Sequence, residues 1–374
     1  MVQITEVLTH KQLKTFVELP NKMYRKVPEF VPATYGDDME DWNPKKNPAF
    51  AYCEARCWLA LRDGKPVGRI GAIISHRANE KWHTNRMRFT QMDFIDDKEV
   101  SAALLRTVED WAREKGCEEV HGPLGFTDLD REGLLVDGYD RRGLFFTYYN
   151  PPYYSEHLKE LGYDKDVDWV ENLITLPKDD DTSRLLKRIS DMSLRRHHLH
   201  LTEPKRRSEY KKYIPAFFKL VNECYAPLYS TVELDNEQIL RYTKKFAPLI
   251  NPKLCALVMD ENNEMVAFGV GAPDLGTAMQ KSQGKLLPFG WARMLYALNH
   301  NDTVDLLLIG VRPDYQGKAV NAIVMNKILE GCHAIGITKA ETGPTLELNK
   351  KVLAQWEKME RVQHKRRRCF IKKI

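Results

Sequence analysis

From Ile309 to Ala322 the chain reads IGVRPDYQGKAVNA: an apolar strand feeds a short loop and runs straight into a helix. The first-turn N–H groups of a helix have no partner inside it, and with the helix dipole they form a site for phosphate oxygens. Gly317 and Ala319 are small enough to let the backbone approach such an anion closely. The equivalent junction of the first half, MDFIDDKEVSAALL, has no glycine and sets Asp96, Asp97 and Glu99 at the helix start. Carboxylates there satisfy the helix end themselves and repel a phosphate. One anion site is therefore expected, in the second half. Another kind of chemistry is suggested by FTDLDREGLLVDGYDRRG and the TYYN after it, where acids, glycines and aromatics crowd one long connection. Loops of that length in compact domains are often functional. Asp128, Asp130, Asp137, Asp140, Tyr148 and Tyr149 can bind a cationic amine; the plain alternative is a turn cluster over a Tyr-rich core strand. Asp128 and Asp130 do not open a calcium loop, because no Glu stands at the twelfth place. His197, His198 and His200 have no metal-ligand partners at a sensible spacing, so no metal site is expected.

The elements that must position these residues occur in the same order twice. The first half has an extended start, VQITEVL, and a polar helix-like region. The hairpin CWLALRDGKPVGRIGAIIS follows, turning at Asp63-Gly64, then the alternating strand MRFTQMDFI. KEVSAALLRTVEDWAREKG puts Val100, Ala103, Leu104, Thr107, Val108, Trp111 and Ala112 on one face and predicts an amphipathic helix stopped by Gly116. A strand over EEVHGPLGF, the aromatic run LFFTYYN, a helix over YYSEHLKELG and a strand near DVDWVENLITL complete it. The second half repeats the order: strand LHLTEP, helix EYKKYIPAFFKLVNECY and hairpin CALVMDENNEMVAFGVGAP. After a helical insertion, GKLLPFGWARMLYALN, come strand VDLLLIGV, helix AVNAIVMNKILEGC and strand KAETGPTLELN, then a helix over NKKVLAQWEKME and a basic strand over VQHKRRRCFIKK. Gly116-Cys117 and Gly331-Cys332 end the two central helices, and Gly122-Pro123 and Gly343-Pro344 close the strands after them. Duplicated units keep order as residues drift. The expected fold is α/β, two units at 1–177 and 178–374, each a mostly antiparallel mixed sheet with flanking helices and one parallel pair that splays.

VRPDYQGKAVNA resembles the pyrophosphate loop of the GNAT superfamily of N-acyltransferases: Arg or Gln, two residues, Gly, one residue, then Gly or Ala. Those places are Gln316, Ala319 and Asn321 here. Across the whole chain the resemblance is to tandem GNAT proteins and, less closely, to the double-unit aminoacyltransferases of cell-wall synthesis. It implies an acyl-CoA site, for acetyl-CoA or another acyl-CoA, made by Ile309, Val311, Gln316, Gly317, Lys318, Ala319, Val320, Asn321, Ala322 and Asn349. It implies that the thioester lies between strands splaying near Ile309 to Val311 and near Thr342, with the Val311 N–H as oxyanion donor. Glu341 is the first candidate for the base that takes the ammonium proton, against the reading of an exposed strand carboxylate. Many members carry an Asn with a Tyr seven places on that protonates the departing thiolate. The second half has Asn349 with Trp356, the first Asn150 with His157, followed by Gly162-Tyr163. The implied activity is transfer of an acyl group, acetyl in the expected version, to the amine of a small or amino-acid-like molecule. The competing reading is a non-catalytic protein that keeps the fold and binds acyl-CoA or a metabolite. A third, a tRNA-dependent aminoacyltransferase, rests on basic segments and the double unit alone.

Composition bounds these readings. With 374 residues, 43% hydrophobic and 29% charged, the chain can bury two ordinary cores. No run approaches the roughly 20 apolar residues of a membrane helix, and none has the pattern of a signal peptide, so a cytoplasmic protein without a membrane span is expected. Seven scattered cysteines without a C-x-x-C pair read as reduced thiols. The net charge of +5 is concentrated in KRRSEYKK and HKRRRCFIKK, read as solvated faces and a protected edge strand; no nucleic-acid-binding signature accompanies them, so a nucleic acid partner is not expected.

Overall fold

The computed structural model describes residues 1–178 and 180–374. In chain order the first half holds β1 (Gln3–Glu6), α1 (His10–Met23), α2 (Tyr35–Asp41), β2 (Cys53–Arg62), β3 (Lys65–Ser75), α3 (His76–Trp82), β4 (Arg86–Phe94), α4 (Lys98–Glu114), β5 (Glu119–Gly122), β6 (Leu134–Asp137), α5 (Tyr153–Glu160) and β7 (Asp164–Thr175). The second holds α6 (Asp181–Arg196), β8 (His200–Leu201), α7 (Ile214–Tyr225), α8 (Asn236–Phe246), β9 (Cys255–Met259), β10 (Met265–Pro273), α9 (Gly276–Ser282), α10 (Gly290–Ala297), β11 (Thr303–Val311), α11 (Val320–His333), β12 (Lys339–Thr342), β13 (Thr345–Leu346), α12 (Lys350–Leu353) and β14 (Arg361–Lys373). Two compact units result: Met1–Val170 with Leu275–Met294 and His364–Ile374, and Glu171–Asp274 with Leu295–Gln363.

In the first unit the strands run β1-β2-β3-β4-β5-β14. The pair β4/β5 is parallel, from Arg86↔Glu119 to Arg88↔His121. Asp63 and Gly64 both take positive φ, as the tight turn between β2 and β3 requires. The helix α4 buries Val100, Leu104, Leu105, Val108, Trp111 and Ala112 in one core with Ile70, Phe89 and Phe94. Each such large apolar side chain stabilises the fold by about 1.5–3 kcal/mol. The register of β4 against β3 shifts between Arg69 and Gly71, and Gln91 sits at φ 43 in the resulting bulge. Gly71 must lack a side chain there, since a Cβ would stand 2.4 Å from the Trp42 ring.

Two expectations are corrected in this unit. The basic segment HKRRRCFIKK is no solvated edge of the second half: from His364 onward β14 belongs with the first unit, between β5 and β7. Its apolar Cys369 and Phe370 are fully buried and its register runs Phe370↔Gly122 to Lys373↔Glu119. Its cations are bonded in place: Arg366 and Arg368 pair with Asp168, Arg367 donates to Thr147 and the Tyr148 carbonyl, and Lys365 donates to the Arg142 carbonyl. LFFTYYN forms turns and loop instead of a strand. Its aromatic rings pack without ladder pairing.

In the second unit the order is β8-β9-β10-β11-β12, followed by the end of β7. The parallel pair β11/β12 runs from Thr303↔Lys339 to Leu306↔Thr342, and Gly343 N–H closes it on the Leu306 carbonyl at 3.1 Å. Beyond that point β11 runs on to Val311 paired with β10 but no longer with β12, so the splay expected from the sequence is present. The register of β11 against β10 also shifts there, leaving Leu307 as the extra residue. Val320, Ile323 and Val324 of α11 form a core with Val258, Val266 and Ala267. No described helix is long and apolar enough to cross a membrane.

Candidate active site

The exit of β11 has the features that a phosphate cradle needs. Pro313–Tyr315 make one 3-10 turn, Gly317 takes φ 77, and Ala319 takes φ 56, ψ 23 as the N-cap of α11 with no side chain capping the helix. A left-handed alanine costs roughly 1–2 kcal/mol, a strain of the sort found at ligand sites. Open space surrounds the position of a Gly317 Cβ. Gln316, Gly317 and Lys318 are exposed, Ala319 and Asn321 half-buried, and Val320 and Ala322 buried. Lys351 donates to the Gln316 side chain at 3.0 Å and Gln316 to the Val311 carbonyl at 3.3 Å, while Ser193 holds the Lys318 carbonyl at 2.9 Å. Backbone donors, free space and two lysines fit a pyrophosphate. The matching end of α4 in the first unit is closed: Asp97 accepts from the N–H groups of Glu99 and Val100 and pairs with Arg62. Arg62 is the main reason that the Asp97 carboxyl lies below its ordinary range.

The free edge of β11 is already engaged. Tyr225, at the end of α7, donates to the Ile309 carbonyl at 3.2 Å. The Val311 N–H points to the Cys224 sulfur, a thiol that burial raises to about 12 and this N–H partly lowers. The proposed oxyanion donor thus has a partner from a helix that the sequence did not connect with it. Beside the splay, Glu341 is buried, which corrects its reading as an exposed carboxylate. It stands in register with fully buried Asp305 on β11, and its carboxylate oxygen lies within 4.8 Å of that of fully buried Glu171. A carboxylate inside an apolar strand run, as in TVDLLLIGV and WVENLIT, is the signal that would have found Asp305 and Glu171. Asn349 caps the single turn of α12 through Val352 N–H at 3.3 Å, and Trp356 is packed in the core with Ile174 and Leu254.

In the first unit the acid loop divides. Asp130 accepts from Phe126 and Thr127 N–H at 2.9 and 3.2 Å, which makes it a turn-forming residue. Half-buried Asp128 is raised to about 6 by burial, with Asp130 adding to the rise and Arg88 opposing it. Glu132, missed in the sequence, is pushed well up by burial and then by Asp128. Tyr148 meets Thr90 at 3.3 Å beneath the Arg131 guanidinium, and Tyr149 packs on Tyr24 and Phe30. Asp137 and Asp140 are exposed. Asn150 is spent holding Leu135 N–H and carbonyl, and His157 lies between Ser101 and Asp96. His121, Asp166 and Cys369 bring three ligand atoms within 4.8 Å of one another. Arg86 reaches Asp166 at 3.5 Å, and Arg88 and Arg86 join burial in holding His121 down at about 4, so two guanidiniums oppose a dication there.

Comparison with known proteins bears on the fold. The model of the acetyltransferase (GNAT) family matches residues 16–122, in the half whose helix end is closed by Asp97. Protein YghO of Escherichia coli (strain K12) is 26% identical over 377 residues, covering 98% of this chain and 94% of that protein. A bacterial ceramide synthase of Caulobacter vibrioides (strain NA1000 / CB15N) is 25% identical over 387 residues, covering 100% of this chain and 98% of the relative. Among solved structures, a tandem GNAT protein from the clavulanic acid biosynthesis pathway superposes with a TM-score of 0.57 at 11% identity, covering 100% of this chain and 98% of that one. This chain shares a match to the acetyltransferase (GNAT) family model at residues 16–122 and the fold of a tandem GNAT protein.

Proposed function

We propose that the chain is an acyl-CoA-dependent N-acyltransferase whose second unit holds the donor at Gln316 to Ala322 and whose acceptor is the amine of a long-chain amino alcohol. The observation that carries this reading is the splay of β11 from β12 leading directly into a helix start left uncapped behind Gly317 and left-handed Ala319. Full-length similarity to a protein named a bacterial ceramide synthase supports the acceptor class and a long acyl chain in place of acetyl. Bound acyl-CoA would supply an acyl group activated as a thioester. Gly317, Ala319, Val320 and Asn321 would face its phosphates with backbone N–H groups, and Lys318 and Lys351 would add charge. Glu341 takes the proton of the acceptor ammonium, because only the neutral amine is a nucleophile. Val311 is the oxyanion donor once Cys224 releases its N–H. Taken by itself, the acid loop of the first unit offers Asp128 as its candidate for binding a cation, Asp130 being held by its own turn.

Calorimetric titration with CoA and acyl-CoAs of rising chain length, followed by thiol release with long-chain amino alcohols and short amines, tests this. Glu341→Gln is expected to keep donor affinity and to lose about 10²-fold in kcat/KM, together with the acid limb of the pH profile. Absence of any CoA binding would overturn the reading. The second reading, a binding protein without turnover, draws on the engagement of Ile309 and Val311 by Tyr225 and Cys224 and on Trp356 in the acid's place. Tight acyl-CoA binding with no thiol release for any amine would select it.

A further inference from the structure

The segment from 275 to 300 contains Lys281, Lys285 and Arg293 and no carboxylate. Leu275, Ala278 and Met279 are buried, but from 286 to 291 the large apolar residues are displayed: Leu286 is 50% exposed, Leu287 77%, Phe289 67% and Trp291 52%. This display is held in place within the first unit. Gln280 of α9 donates to the carbonyls of Pro28 and Phe30, and Arg142 donates to Thr277. Gly284 lies so close to Ala33 that a Cβ would stand 2.2 Å from its carbonyl oxygen. Trp291 N–H closes on the Leu286 carbonyl at 2.9 Å, and its indole donates to the Pro288 carbonyl at the same distance. Four large apolar side chains fixed outward on a braced loop call for a covering partner.

We propose that this surface, Leu286 to Trp291 with its lysines, docks the protein on an anionic lipid bilayer. Leucine, phenylalanine and tryptophan beside lysine and arginine form the composition of a segment that lies in the membrane interface, its rings at headgroup depth. Each lysine near an anionic leaflet adds to the attraction. Charge distinguishes this occupant from a second copy of the chain. A self-paired interface would bring like-charged Lys281, Lys285 and Arg293 together without a carboxylate in the segment to meet them.

Flotation of the full chain with phosphatidylcholine vesicles, with and without phosphatidylglycerol, tests the proposal. Binding is expected mainly to the anionic vesicles. The double change Leu287→Glu, Phe289→Glu should reduce the bound fraction about tenfold or more, and Lys281→Glu, Lys285→Glu should remove the preference for phosphatidylglycerol while the melting temperature stays near that of the parent. No binding to either vesicle, or equal binding of the parent and the Leu287, Phe289 variant, would overturn it. So would a dimer in sedimentation equilibrium that the same variant dissociates, since the patch would then be a contact between copies. Vesicle binding is read without acyl transfer, so failure here and failure of the transfer reading are separately visible.

Discussion

Asp128 is a side chain whose surroundings change its chemistry. Burial lifts its carboxyl to about 6, into the range where an acid can exchange a proton near neutral pH. Because the folded-state value lies above the ordinary 3.9 or so of the unfolded chain, the folded form holds this proton more tightly. The associated stability is present below about pH 4 and is lost as pH rises toward about 6. Asp128→Asn is therefore expected to stabilise the protein by roughly 1–3 kcal/mol at neutral pH, and the gain should vanish near pH 4. Urea melts of parent and variant at both pH values measure it; a gain that persists in acid would rule out titration as its source. Asp128 itself was legible as a member of an acid-rich loop, but its separation from Asp130 was not. That depends on which carboxylate the turn at Phe126 and Thr127 captures, and on Arg88, which the chain supplies from a strand far back in sequence. Glu341 was legible only as a residue on a strand beside a splay. Its burial next to Glu171 required the pairing of β12 with the end of β7, a contact without local signal.

The two strand-to-helix junctions follow one plan and differ in a few residues. Local chemistry sufficed to read both: Asp97 closes α4, while α11 begins behind Gly317 and Ala319 with nothing in the cap. Hairpins and amphipathic helices were equally readable, because a turn at Asp63-Gly64 and the stripe on α4 depend on neighbours three or four residues away. The covering of β11 by Cys224 and Tyr225 was not readable, because α7 is remote in sequence and its apolar pattern does not specify its target. Ala319→Glu should weaken CoA binding by about ten- to a hundredfold by setting a carboxylate at the positive helix end. Ala319→Gly should retain binding and add about 1 kcal/mol by relieving the left-handed alanine. Asp97→Asn should leave CoA affinity nearly unaltered. Titration calorimetry on the three variants, with melting curves for fold, checks this set; a large loss in Asp97→Asn with none in Ala319→Glu would move the cofactor to the first unit.

Over the whole chain, order in sequence and membership of a unit diverge at the C-terminus. The duplication was legible because both halves repeat hairpin, strand, central helix and parallel strand, but a boundary at 177 left the last strand with the wrong partners. Nothing local to HKRRRCFIKK tells an edge from an interior strand; the distinction lies in Asp168, buried on β7. Although burial alone would raise the Asp168 carboxyl, bonds from Arg368 and Arg366 hold it below its ordinary range. Removing those guanidiniums would leave a buried carboxylate without its main compensation, a loss of about 3–5 kcal/mol, and the burial of Phe370 would be lost with it. That sum is comparable with the total stability of an ordinary domain. A chain ending at Gln363 should therefore lose the ordered first unit, and the defect should be local. In hydrogen-exchange mass spectrometry the amides of β5, β6 and residues 164–170 should lose protection, while those of β9, β10 and β11 keep theirs, because their ladders are formed within the second unit. Equal loss in both sets would mean that the units do not hold their stability separately. Unchanged protection in β5 and β6 would mean that β14 contributes little beyond charge.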